Sequence, residues 1–195
     1  MECVFLEKEH QREGRNKNTL INQSYIESGE YRKKFDLITD NKEINRLLYN
    51  CAKQMLYHRS GTLYEDMYWI DPISKKIVAQ ETHQSSEKRI FYSKKTKKAI
   101  KSYDNLITIH SHPSSFPPSI DDYNSNFKNN YSLGIICGHD GKVFIYTADV
   151  EINKSYFRKK VEYFKKLGYN DYEAQIETIN YLSIKYNIKC KEVNL

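Results

Sequence analysis

Two histidines one residue apart, His110 and His112, stand in the stretch Ile109-His110-Ser111-His112-Pro113-Ser114-Ser115-Phe116-Pro117-Pro118-Ser119-Ile120-Asp121-Asp122. Residues at i and i+2 of a strand share a face, so a strand here would present both imidazoles to one side. Neutral imidazole is a good zinc ligand. Two of them with one further ligand leave a coordination position open, which is the arrangement of a catalytic zinc and not of a structural one. Asp122 is the natural third ligand, because a proline-stiffened loop returns the chain to a helix start beside the strand end. Ser119-x-x-Asp122 also reads as an ordinary capping box, with an acid at N3 favoured by the helix dipole. The histidine pair alone is a weak signal. The pair, the rigid loop and Ser-x-x-Asp within thirteen residues form a much narrower one.

The elements that must position these residues are legible around them. LITIHSH (106–112) reads as a buried strand, and its C-terminal end is where an α/β sheet usually builds its site. The loop 113–118 holds three of the four prolines, and 119–129 opens with a helix signature. MYWID (67–71) and KIVAQ (76–80) read as strands around a turn at Pro72, and KRIFY (88–92) as a further strand. SKKTKKAIKSYDN (93–105) reads as a helix capped by Ser93. SLGIICG (132–138) and KVFIYTADV (142–150) read as strands joined at Asp140-Gly141, a strong hairpin signal. A helix is expected over 40–57, with Asp40 and Glu43 as its capping box and Ile44, Leu47, Leu48, Cys51 and Met55 at helical spacing, stopping at Gly61. Beyond residue 150 two helices are expected. One carries the stripe Phe157, Val161, Phe164, Leu167 and ends at Gly168, and the other carries Ile176, Ile179 and Leu182. Residues 1–30 are polar with weak periodicity and read as a loosely packed arm. The mixture predicts an α/β unit of two or three layers.

Composition narrows the function classes. The chain has 195 residues, 39% hydrophobic and 29% charged, with 17 Tyr, 8 Phe and 1 Trp. That supports a core and excludes a disordered chain. No apolar run approaches the ~20 residues that span a bilayer. The start, MECVFLEKEHQREGR, is charged where a signal peptide is apolar, so neither secretion nor membrane anchoring is expected. Cys3, Cys51, Cys137 and Cys190 lie far apart with no Cys-x-x-Cys pair, which reads as free thiols in a reducing cytoplasm. The net charge of +6 is spread along the chain, whereas a dedicated nucleic-acid protein concentrates it. The densest run, Lys94, Lys95, Lys97, Lys98 and Lys101, reads as a solvated helix face in preference to a phosphate-binding patch. Cys137 reads as a small core residue, His139 as a turn residue, and His58 and His83 lack a partner at ligand spacing.

HSHPSSFPPSIDD resembles the signature of the JAMM (JAB/MPN+) family, His-x-His followed by a proline-bearing loop and Ser-x-x-Asp. Members include zinc isopeptidases that remove ubiquitin and ubiquitin-like proteins, bacterial JAB peptidases and the RadC proteins. The resemblance covers about residues 61–150. It departs in one respect: six residues separate His112 from Ser119, where the commonest form has seven, which leaves Asp121 as the alternative to Asp122.

The resemblance implies an MPN/JAB-type mixed sheet flanked by helices over 61–150, preceded by an extension (1–60) and followed by C-terminal helices packed on the core (151–195). It implies Zn²⁺ on His110, His112 and Asp122, with a water as fourth ligand whose pKa the metal lowers to about 7. Glu65, forty-five residues before His110, would be the general base that moves the water's proton to the leaving amine. Ser119 would hydrogen-bond the oxyanion. Glu65 opens the first core strand after the break at Ser60-Gly61, whereas its rival Glu81 stands in ETHQSSEK, which reads as a solvated loop. The expected activity is cytoplasmic hydrolysis of a peptide or isopeptide bond in a protein substrate, such as a ubiquitin-like tail or precursor. The alternatives are a RadC-like role in DNA metabolism and a non-catalytic MPN-type scaffold. The first lacks helix-hairpin-helix glycines and a focused basic patch, and the second has no need of all five site residues. Nucleic acid is therefore not the favoured partner, and no membrane partner is expected.

Overall fold

The computed structural model describes residues 14–195, so Cys3 and the first part of the expected N-terminal arm lie outside the described residues. The fold is α/β, as the sequence predicts. Six strands, β1 (Met67–Asp71), β2 (Lys76–Glu81), β3 (Ile107–His112), β4 (Leu133–Gly138), β5 (Val143–Ala148) and β6 (Ile188–Glu192), form one mixed sheet in the order β2-β1-β3-β4-β5-β6. β3 and β4 are parallel, and every other neighbouring pair is antiparallel. A parallel pair needs a crossover connection, and helix α5 (Ile120–Lys128) lies within it.

Helices α1 (Gln23–Ile26), α2 (Gly29–Asp36) and α3 (Lys42–Arg59) cover one face of the sheet. Tyr31, Phe35, Leu48, Met55 and Leu56 pack there against Ile70, Ile109, Ile135 and Cys137. Each such fully buried side chain contributes about 1.5–3 kcal/mol by leaving water. The other face is covered in two parts. Helix α4 (Lys94–Ile100) closes over Met67 and Trp69 through Ile100. α5, α6 (Lys154–Lys166) and α7 (Asp171–Lys185) close over Ile136, Phe144 and Tyr146 through Ile120, Tyr123, Phe157, Ile179 and Leu182.

Several local signals act as read. Ser93 caps α4 and Ser119 caps α5. Gly61, Gly141 and Gly168 take positive φ at the helix stops and the hairpin where only glycine is unstrained. The lysines of α4 are exposed. Among the described residues, no helix is long and apolar enough to cross a membrane.

Other expectations need correction. The stretch from Ile21 to Phe35 is no loose arm: Ile26, Tyr31 and Phe35 are fully buried, and the rings of Tyr31 and Phe35 meet edge to face at 5.3 Å. The helices there are too short to show a periodic stripe. α3 is capped by Asn41, whose side chain accepts from the Glu43 and Ile44 amides, and not by Asp40; Asn serves an N-cap as well as Asp. KRIFY forms no strand. Lys88 takes a φ of 53°, and its N–H donates to Leu63 O at 2.8 Å, so the segment crosses beside β1 and is not added to the β2 edge. Glu81 is the last residue of β2, is buried, and accepts from the Ser93 N–H at 2.7 Å, so it supports the start of α4 and is not solvated. The C-terminal region adds β6, which turns Ile188 inward and Lys189 and Lys191 outward on the sheet edge; lysines on an edge strand discourage further pairing.

Candidate metal centre

The two histidines leave β3 on the face opposite α3, as their spacing requires. Thr108, His110 and His112 face a cleft of about 660 Å³, while Ile107 and Ile109 face α3. After His112 the chain turns sharply, with Ser115 N–H donating to His112 O at 2.9 Å and Ser115 in the left-handed region (φ 57°). The turn brings Phe116 O back to His112 Nδ1 at 2.9 Å. A carbonyl only accepts, so Nδ1 carries a hydrogen and Nε2 is the nitrogen left to face the cleft. Gln175 of α7 donates to Pro117 O and Pro118 O, each at 3.0 Å, and holds the proline loop in place. The loop ends at Ser119, where the capping box is complete: Ser119 Oγ accepts from Asp122 N–H and Asp122 Oδ2 accepts from Ser119 N–H at 2.7 Å.

The capping box and the ligand set share one carboxylate. With Oδ2 tied to Ser119, Asp122 presents Oδ1 to His110 Nε2 at 3.3 Å and Oδ2 to His112 Nε2 at 3.6 Å, and the two Nε2 atoms are 3.0 Å apart. Burial works against the charge on Asp122, but the imidazoles and the Ser119 bond outweigh it and hold the carboxyl below the usual range. Asp121 stands at the cleft's exposed rim, paired with Lys154. The structure therefore brings Asp122, and not Asp121, to the histidines.

The donor set fits a small divalent cation. Four ligands at ~2.0–2.1 Å on the corners of a tetrahedron are about 3.3 Å from one another; here the two Nε2 atoms are 3.0 Å apart, and one donor atom from each of the three residues lies within 4.8 Å of the others. His112 is held in the ligating tautomer by a carbonyl behind it, the usual arrangement around a metal-bound histidine. Among the described residues His110 Nδ1 is buried without a hydrogen-bond partner, and Nε2 is the nitrogen turned toward His112 and Asp122. Two imidazoles and one carboxylate are a mixture that suits zinc and other divalent first-row ions.

Glu65 joins the site through the strand register. Met67 pairs with His110 across β1 and β3, so the residue two positions earlier stands opposite His112. Glu65 is half-buried and lines the same cleft. Burial pushes its carboxyl up to about 7; His112 and Lys88 oppose the rise, and Asp122 adds to it. Ser119 lines the cleft too, and as a hydroxyl it keeps a hydrogen to donate while accepting from Asp122.

Sequence reasoning missed the cleft's inner wall. Tyr92, Tyr131 and Tyr146 face it, with Tyr92 OH 3.0 Å from Ser125 Oγ and Tyr131 OH accepting from Trp69 Nε1 at 2.9 Å. Tyr146 crosses β4 over Gly134, where a Cβ would meet its ring at 2.1 Å. No local pattern announces these contacts, since their partners lie 12 to 62 residues away; only the glycine in SLGIICG is a local sign of a close approach. His139 and His58 are structural: His139 Nδ1 donates to Thr19 O at 2.6 Å, and His58 Nδ1 meets Asp66 Oδ2 at 2.5 Å.

Comparison with protein-family models, with curated proteins and with solved structures finds no match for this chain. The functional reading rests on the site itself.

Proposed function

We propose that this chain is a zinc-dependent hydrolase of JAMM type, cutting a peptide or isopeptide bond in a protein substrate. The observation that carries the reading is the convergence of His110 Nε2, His112 Nε2 and the Asp122 carboxylate within 4.8 Å of one another in the cleft, with Glu65 in register beside them. Those three residues would hold the metal. Bound there, zinc supplies an activated water nucleophile at neutral pH and a Lewis acid for the scissile carbonyl.

The rest is the work of the chain's own groups. The Glu65 carboxylate takes the proton of the attacking water and returns it to the leaving nitrogen. Ser119 O–H donates to the oxyanion of the tetrahedral intermediate. The Phe116 carbonyl fixes the His112 ring, and Gln175 fixes the loop that carries that carbonyl. The test is cleavage profiling of the purified chain over ubiquitin-like fusions and peptide libraries, with and without a chelator. Chelator-sensitive cleavage that zinc restores and His112→Ala abolishes is the expected result. Cleavage indifferent to both overturns the reading.

A further inference from the structure

Behind the cleft, on the α3 side of the sheet, lies a second polar cluster that lines no part of the cleft and is buried except for a partly exposed His58. Asp66 and Ser111 are both fully buried. The Asp66 carboxylate meets Arg59 Nε and His58 Nδ1, each at 2.5 Å, from the last turn of α3. Ser111 N–H donates to Asp66 O at 3.0 Å. The Asp66 N–H donates in return to the Ser111 hydroxyl, also at 3.0 Å. Facing residues of a regular antiparallel ladder exchange two N–H···O=C bonds. Here a side-chain oxygen replaces one carbonyl, at the point where β1 and β3 end their pairing.

The position of that exchange matters more than its energy. Asp66 is one residue from Glu65, and Ser111 lies between His110 and His112. Successive side chains of a strand alternate faces, so the latch is on one side and the reacting groups are on the other. Buried ion pairs of this kind add little net stability over apolar residues of the same volume. What the cluster does supply is register, because α3, β1 and β3 are tied to one another through a single carboxylate and a single hydroxyl.

We infer that Ser111 is a positioning residue: its hydroxyl, latched to Asp66, sets where the Glu65 carboxylate stands relative to the site formed by His110, His112 and Asp122. The inference rests on the zinc-hydrolase reading above. Without the hydroxyl the strand end that bears Glu65 keeps its Arg59 and His58 contacts but loses one of its two bonds to β3, so it shifts against that strand, while the ligands, held by the β4 pairing and the proline loop, stay.

The experiment compares wild type, Ser111→Ala, Ser111→Thr and Glu65→Gln, alone and combined with Ser111→Ala. Zinc content and affinity, hydrogen exchange at the Asp66 amide, and kcat and KM on a cleaved substrate are read for each. Ser111→Ala is expected to bind zinc as wild type does, to lose protection at the Asp66 amide, and to lower kcat about 10- to 100-fold at unchanged KM, the cost of a misplaced catalytic group. Ser111→Thr restores both protection and kcat. In the Glu65→Gln background the alanine change lowers kcat no further. Unchanged kcat in a deprotected Ser111→Ala protein overturns the inference, as do lost zinc or effects that multiply with Glu65→Gln. A wild type that neither binds zinc nor cleaves fails the functional reading itself, and the wild-type measurements alone reveal it.

Discussion

Ile107, Ile109 and Ser111 project from β3 toward α3, and Thr108, His110 and His112 project from the same strand into the cleft. All six are buried. On the α3 side the two isoleucines are covered by the side chains of three helices, and the one polar residue has both its backbone N–H and its hydroxyl engaged. On the cleft side, two ring nitrogens and a carboxylate lie within 4.8 Å of one another, and His110 Nδ1 has no hydrogen-bond partner among the described residues. The period of two puts core packing on one face of the strand and the candidate ligands on the other, so substitutions one residue apart should register in different measurements.

The largest effect that breaks this division falls on the cleft side. Glu65→Gln is expected to keep zinc and the fold while lowering turnover by about two to four orders of magnitude, the usual contribution of general acid–base catalysis. Glu81→Gln, in the same assay, keeps the acceptor that holds the Ser93 amide and leaves turnover near wild type. Steady-state kinetics beside zinc analysis checks both.

The opposite face should respond in stability. Ile109→Ala removes a fully buried side chain between β3 and the α1–α3 layer and is expected to cost about 2–5 kcal/mol. Denaturant unfolding measures it. The folded fraction should bind zinc as wild type does, because His110 and His112 take their positions from β4 and the proline loop. A zinc affinity that fell in proportion to the lost stability would erase the distinction between the faces.

How much of this was readable in advance follows the range of the contacts. β3, the proline loop, the Ser119 cap and the Asp140-Gly141 hairpin are fixed by neighbours a few residues away, and the sequence displays those neighbours. The choice of Asp122 over Asp121 turned on one spacing, and the capping box resolves it by directing the Asp122 carboxylate back over the loop. Tyr31 and Phe35 were illegible because their partners are Tyr49 and the sheet, and helices of four and eight residues show no stripe. β6 was hidden because an edge strand with lysine at alternate positions resembles a polar tail until β5 is beside it. The Asp66 cluster joins α3, β1 and β3 over 7 to 45 residues, and nothing in the local sequence of His58, Arg59 or Ser111 foretells it.

The smallest expected effect lies at the rim, where neither rule operates. Lys154 pairs with Asp121 in solvent, and exposed pairs contribute about 0–1 kcal/mol. Lys154→Ala should shift the unfolding midpoint little and leave zinc content unchanged. A large loss of stability would mean that the rim is coupled to the core, and the contrast drawn on β3 would have to extend to α6.

The central claim is that His110, His112 and Asp122 hold one zinc ion. Elemental analysis of the chain purified without chelator, beside Asp122→Ala and Asp121→Ala, tests it most directly. About one zinc per chain in wild type and Asp121→Ala, with none in Asp122→Ala, is the expected result for a single three-ligand site. Zinc-free wild-type protein that takes up no added zinc, or zinc retained after Asp122→Ala, would contradict it.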